Sequence, residues 1–329
     1  MEETQFSQSL DSFQPISIQR PTQKKRRAVK AHWLILLLLF LYFLAPFRTN
    51  ILLLGTDDSP ERGALGRTDT IILTTIIPFK PYIGMLSIPR DLWVTIPNVG
   101  EQRINTAYFF AEANQTGSGG DAATQTIREN FGVSTHYYAV IHMTGVVNAV
   151  DALGGVEIEL AAPSGGYPAG RHLLNGVEAL AFVRDRATSS DFSRMQRTQS
   201  MLTAMLNKAF KPTSWKHLPK FIFSLMESVD ANIPFWQWPR LIFAFVRAPL
   251  FGMDSRTITP DMVVPFQTSG GAQVLGPNWD AINPTLQEMF GQRSAQSQSL
   301  RMAFAIAALI SKFCSRKDKI ASADSRLCS

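Results

Sequence analysis

The chain of 329 residues holds only two cysteines, Cys314 and Cys328, both near its end. That excludes a disulfide framework for the body of the protein, and no cysteine–histidine spacing suggests a zinc site. Redox compartment is therefore not legible from thiols. No internal repeat is present, which excludes a solenoid or propeller. Positive charge is also scarce where a nucleic-acid binder would need it. The net charge of +6 comes from the two ends, +4 over residues 1–48 and +5 over residues 292–329, which leaves −3 for residues 49–291. A domain that tracks a polyanionic backbone carries a basic face, so nucleic acid is excluded as the expected partner. A hydrophobic content of 45% gives enough apolar material for a real core.

One segment lacks formal charge altogether. "AHWLILLLLFLYFLAPF", Ala31 to Phe47, follows the basic stretch "KKRRAVK". It sits at the short end of what crosses a bilayer. The basic flank predicts a cytoplasmic N-terminus and an extracytoplasmic domain beyond the segment. A cleaved signal peptide is the competing reading. The absence of a small-residue cleavage site and the bulky flank "YFLAPFRTN" favour an uncleaved anchor. The expected plan is a disordered basic tail over 1–30, an anchor over 31–47, one catalytic domain over 49–291, and a basic tail over 292–329.

Apolar periodicity predicts strands at "NILLLG", "TIILTTII", "YIGMLSI", "HYYAVI" and "VEIEL". The second and third form an expected hairpin. Helices are expected at "TQTIRENFG", ended by Gly132, and at "TGVVNAVDALGG", with Thr144 as its cap. "LNGVEALAFV" starts with Asn175 and Glu178 in capping-box spacing. Another helix runs from about Phe192 to Phe210, capped by Ser190 or Asp191, and "DAINPTLQEMFG" closes the domain. The very apolar stretch from Pro212 to about Phe251 is read as helical core, with the wall of a greasy pocket as the alternative.

Charged residues gather where such strands end. Asp57 follows "LLLG". Arg67 and Asp69 open the next strand in "GRTDT". Arg90 and Asp91 close the third in "SIPRD". "VRDRATSSDFSRMQR" adds Arg184, Arg186, Asp191, Arg194 and Arg197. If its first part is extended, Arg184 and Arg186 point the same way. Arg194 and Arg197 lie one turn apart near a helix N-terminus, itself an anion-binding element. Each cluster alone reads as an Arg–Asp pair tying loops together. Together they give more guanidinium than the nearby aspartates neutralise. Arginine's planar, permanently charged fork suits phosphate, and paired aspartates beside phosphate suit Mg²⁺.

In order, Gly55–Asp57, Gly66–Thr70, Ser87–Asp91, Arg103–Tyr108, Asp151–Val156, Leu174–Arg186 and Ser190–Arg197 resemble the motifs of the LytR–CpsA–Psr family. The resemblance implies an α/β fold, a mixed central sheet flanked by helices, behind one N-terminal transmembrane helix. It implies a phosphotransferase that moves a glycopolymer from a polyprenyl-diphosphate carrier to peptidoglycan in cell-wall assembly. Carried onto this chain, Arg67, Arg90, Arg184, Arg186, Arg194 and Arg197 would bind the diphosphate, though Arg197 fits a plain salt bridge equally. Asp57 and Asp69 would hold Mg²⁺. Arg90, Asp69 and Asp191 would be catalytic, with Asp191 either a base for the acceptor hydroxyl or only a helix cap and orienter of Arg194. The family pattern continues after the last arginine with two glutamines; here Thr198 and Gln199 follow. A non-catalytic, membrane-tethered glycan binder or regulator, and a polyprenyl-diphosphate hydrolase, are the competing functions.

Overall fold

The computed structural model describes residues 24–44, 47–56, 66–78, 82–185, 191–251 and 253–292. Asp57, Arg186, Ser190 and the tail after 292 lie outside them. Helix α1, Lys24–Leu44, is a unit by itself. It includes "KKRRAVK", so Lys24 to Lys30 are helical rather than disordered. Its charge-free part, Ala31 to Leu44, rises only about 21 Å at 1.5 Å per residue. Among the described residues, no helix is long and apolar enough to cross a membrane.

The second unit begins with β1 (Thr49–Thr56), β2 (Thr68–Ile77), β3 (Tyr82–Ser87) and the hairpin β4–β5 (Trp93–Ile96, Gly100–Arg103). Then come α2 (Thr106–Asn114), α3 (Gly119–Phe131), β6 (Tyr137–His142), α4 (Met143–Ala152), and the hairpin β7–β8 (Val156–Leu160, Gly170–Leu174). Helices α5 (Gly176–Arg184), α6 (Asp191–Phe210) and α7 (Leu218–Ser228) follow, with β9 (Val229–Ala231), α8 (Trp238–Phe251) and β10 (Met253–Thr257). The hairpin β11–β12 (Val263–Gln267, Gln273–Pro277) and α9 (Trp279–Phe290) complete it.

Six strands form a mixed sheet in the order β10-β3-β2-β1-β6-β9. The expected β2–β3 hairpin is antiparallel, Ile72 opposite Ser87, while β1 and β6 run parallel, Thr56 opposite His142. Period two sorts the side chains between the faces. Leu52, Leu54, Leu73 and Leu86 join Ile127 and Phe131 of α3 and Leu286 of α9 in one core. Ile51, Ile72, Ile76 and Ile83 pack on the other face with Leu241 of α8. A third cluster joins α4, α5, α6, α7 and β7 around Val150, Phe182, Met205 and Phe221. Each such side chain contributes roughly 1.5–3 kcal/mol on burial.

Local signals explain most boundaries. Gly132 ends α3 in the left-handed region, φ +69°. Asn175 and Glu178 close a full capping box on α5. One expectation fails: Thr144 lies inside α4, whose cap position is His142, because β6 runs straight into the helix without a turn. The apolar stretch 212–251 is helical, as read, in α7 and α8.

Gln199 fastens α6 to the sheet. Its amide nitrogen donates to the carbonyls of Met85 in β3 and Arg256 in β10, at 3.0 and 2.8 Å, and its oxygen accepts from Thr257. A buried amide so fully engaged is costly to delete. Gln199→Leu should lower the free energy of unfolding by about 1–3 kcal/mol in urea titration; an unchanged midpoint would show that α6 is held otherwise.

Candidate functional site

The mixed pairing brings the ends of β1, β3, β6 and β10 and the start of β2 to one edge of the sheet. Thr56 faces Thr68 across one ladder and His142 across the other. Asp69 is therefore the second residue of β2 at that edge. Past β3, the chain turns at Pro89: Leu92 N–H donates to the Pro89 carbonyl, and Asn105 N–H to that of Arg90. This turn aims the Arg90 side chain across the strand ends.

Its guanidinium meets carboxylates from three segments. Nη1 donates to Asp69 Oδ1 at 2.9 Å. The other side makes a two-pronged contact with Asp191, the first residue of α6, with Nε 3.1 Å from Oδ2 and Nη2 3.0 Å from Oδ1. Asp91 Oδ2 lies 3.5 Å from Nε. Burial opposes the Arg90 charge, but Asp191, Asp69 and Asp91 outweigh it and raise its pKa. Arg194, one turn into α6, donates to Asp191 Oδ1 at 2.9 Å. Arg103 lies 3.2 Å from Asp91 Oδ1. Three guanidiniums thus alternate with three carboxylates, and the cluster is itself close to neutral.

The other arginines stand around it differently. Arg67 is exposed beside the start of β2, over the Phe109 ring at 5.8 Å. Arg184 is the last residue of α5 and exposed. The extended run that would pair it with Arg186 does not begin there, because α5 continues through Arg184 and ends only at Asp185; Arg186 lies outside the described residues. Arg197 is only 3% exposed. It stacks on Phe182 at 5.9 Å and donates through Nη2 to the Asp185 carbonyl at 2.6 Å. Its Nε and Nη1, and Nε of Arg194, are buried without a hydrogen-bond partner. Burial pulls the Arg197 pKa down. Buried donors of this kind are rare unless a ligand completes them.

Of the two expected metal ligands, Asp69 is in place and Asp57 lies outside the described residues. Among the described residues no group of three or more His, Cys, Asp or Glu could hold a metal ion. Mg²⁺ needs only one or two carboxylates when phosphate and water fill its sphere, and Asp69 here already accepts from Arg90. Thr198 turns back to the Arg194 carbonyl at 3.0 Å, and Gln199 is spent on the sheet. Neither continues the arginine row.

Sequence reasoning placed Arg103 at the head of a family motif but gave it no role, because its pairing with Asp91 depends on the β4–β5 hairpin folding back. It passed over His142, which lies 3.4 Å from Thr56 Oγ1 and 3.0 Å from Asp230 at the same edge. A groove of about 920 Å³ follows α6 past Gln196, Thr203 and Asn207, walled by Ile158 and Met253, and none of the cluster's residues lines it.

The LytR_cpsA_psr family model matches residues 45–248. The chain belongs to that family. It is 42% identical over 166 residues to the polyisoprenyl-teichoic acid–peptidoglycan teichoic acid transferase TagU of Oceanobacillus iheyensis, covering 49% of this chain and 51% of the relative. It is 30% identical over 195 residues to the regulatory protein MsrR of Staphylococcus aureus, covering 57% of each. The chain spans about half the length of the curated relatives it matches. Among solved structures, TagT bound to LIIa-WTA superimposes with a TM-score of 0.59 at 25% identity, over 74% of this chain and 91% of that one. The mixed α/β fold with helices flanking a central sheet agrees with that neighbour.

Replacing buried Arg197 by an apolar side chain removes a desolvated charge. Arg197→Leu should therefore unfold at the wild-type temperature or above. Inorganic pyrophosphate should raise the Tm of the wild type and leave that of Arg197→Leu unmoved. Equal pyrophosphate shifts for both proteins would show that the open donors do not serve an anion.

Proposed function

We propose that this chain is a phosphotransferase that moves a glycopolymer from a polyprenyl-diphosphate carrier onto a peptidoglycan hydroxyl. The single observation that supports this most is the row of guanidiniums at one sheet edge, with buried N–H groups on Arg194 and Arg197 left open beside it. Family membership, and relatives named as teichoic acid transferases, support the same reading. The identity of the polymer stays at the level of its class.

In the proposed reaction the acceptor hydroxyl attacks the phosphorus next to the glycan, the phosphorus–oxygen bond to the second phosphate breaks, and polyprenyl phosphate leaves, taking up the hydroxyl proton. Arg90 and Arg194 fix the diphosphate, Arg197 completes it from below, and Arg67 and Arg184, with Arg186, supply further charge around it. Such preorganised donors are worth roughly 3–4 kcal/mol of barrier each. Mg²⁺, held by Asp69 and Asp57, would neutralise charge on the phosphate oxygens. Both oxygens of Asp191 accept from guanidiniums. To take a proton it must break one of those bonds, so we assign it the orienting role. The groove along α6, with its amide and hydroxyl lining, suits sugar better than lipid.

The place of action is part of the proposal. The charge-free stretch Ala31–Phe47 is short, but flanking Lys and Arg can reach to the interface. We read it as a single-pass anchor with a cytoplasmic N-terminus and an extracytoplasmic catalytic domain.

Arg90→Ala should reduce transfer of a lipid-linked saccharide in detergent by at least about 100-fold while the far-ultraviolet spectrum is kept. Full activity of that variant would overturn the assignment. Chelation of divalent cations should stop transfer and added Mg²⁺ restore it. A cation-independent reaction would remove the metal from the mechanism. Release of polyprenyl phosphate with no joined product would favour the hydrolase.

A further inference from the structure

The edge of the sheet opposite the site carries an exposed apolar surface that phosphoryl transfer does not use. Helix α8 packs on one face of the sheet and crosses the strands close to that edge. Near its start, Arg240 donates to the Phe47 carbonyl and lies over the Phe47 ring at 5.8 Å, just before β1. Gln237 reaches Tyr137 Oη, at the start of β6. Further along, Arg247 donates to the Pro78 carbonyl just past the end of β2. Its inward stripe, Leu241 and Ala244, is buried in the core. Its outward stripe, Trp238, Ile242 and Val246, repeats every four residues, and all three are about half exposed. The 3₁₀ turn before it adds Phe235, 79% exposed, and Trp236. Phe47 itself is 69% exposed.

We infer that this face lies in the interfacial layer of a lipid bilayer. The outward stripe of Trp, Ile and Val carries no charge, since Arg240 is buried and bonded to the Phe47 carbonyl and Arg247 is bonded to that of Pro78, and such an apolar face has the composition of an interfacial helix. Tryptophan favours that depth because its ring is apolar and its N–H is wet. The occupant follows from continuity. Only three peptide units separate Phe47 from Leu44, the end of the apolar helix, and α8 grips Phe47 directly. The inference rests on the proposed membrane tether and adds an orientation to it.

The test uses the full chain with Cys314→Ser and Cys328→Ser, reconstituted in vesicles of phosphatidylcholine and phosphatidylglycerol. Ile242→Cys, Val246→Cys and, as control, the exposed Val99→Cys are labelled with an environment-sensitive fluorophore. Labels at 242 and 246 should shift to the blue, lose emission to nitroxide-bearing lipid and resist iodide; the label at 99 should do the reverse. Equal iodide quenching at 242 and 99 on vesicle-bound protein would overturn this surface while leaving the tether intact. Shielding from both quenchers would overturn it in favour of a protein partner. A chain that fails to float with vesicles would remove the tether reading, and this one with it.

Discussion

The position of one guanidinium organises the functional end of this molecule. Arg90 sits at the close of β3, where a proline turn aims it across the strand ends, and it binds carboxylates from the start of β2 and the start of α6. These segments are 21 and 101 residues away in sequence. Half-buried charge is stable only when paired, so the three segments must come together or leave an arginine and two aspartates desolvated and alone. The constraint fixes the N-terminus of α6, and with it Arg194 and Arg197. Gln199, two residues on, locks the same helix to β3 and β10 from the other side. The arginine row is thus held at both flanks.

The sheet gives the molecule two unlike edges. One gathers Thr56, Asp69, Arg90 and His142. The other receives the chain at Thr49, and α8 crosses the strands close to it. If the second edge rests on lipid, as inferred, polar chemistry and apolar attachment lie at opposite ends of the same strands. A substrate with a charged head and a long apolar tail fits such a polarity. The carrier proposed here has that form.

Much of this was legible in the sequence. Long β-branched and leucine runs gave the sheet strands because period and composition agree there. Asn175–Glu178 gave the start of α5, and Gly132 the end of α3, because each has a specific local bond or backbone angle. Arg90, Asp69, Asp191 and Arg194 were selected together on their charge at strand and helix ends, and the fold joins them. What was not legible depended on distant packing. Arg184 pairs with Arg186 only if the stretch is extended, yet α5 continues through it to Asp185. Arg197 read equally as a phosphate contact or a plain salt bridge, and only burial against Phe182 shows its open donors. Arg103 and His142 find their partners through a hairpin fold-back and a parallel ladder, neither of which a linear motif encodes. The apolar stretch 212–251 was read correctly as helical, but its outward stripe was not separable from its inward one before the core was known.

The central claim is that Arg90 and Asp191 are energetically coupled across a hundred residues of chain. A double-mutant cycle on unfolding free energy, with Arg90→Met and Asp191→Asn, tests it most directly. The account predicts a coupling of about 1 kcal/mol or more, the two changes together costing less than their separate effects combined. Additivity within about 0.5 kcal/mol would contradict it, for the site would then be a set of independent surface charges that happen to share an edge.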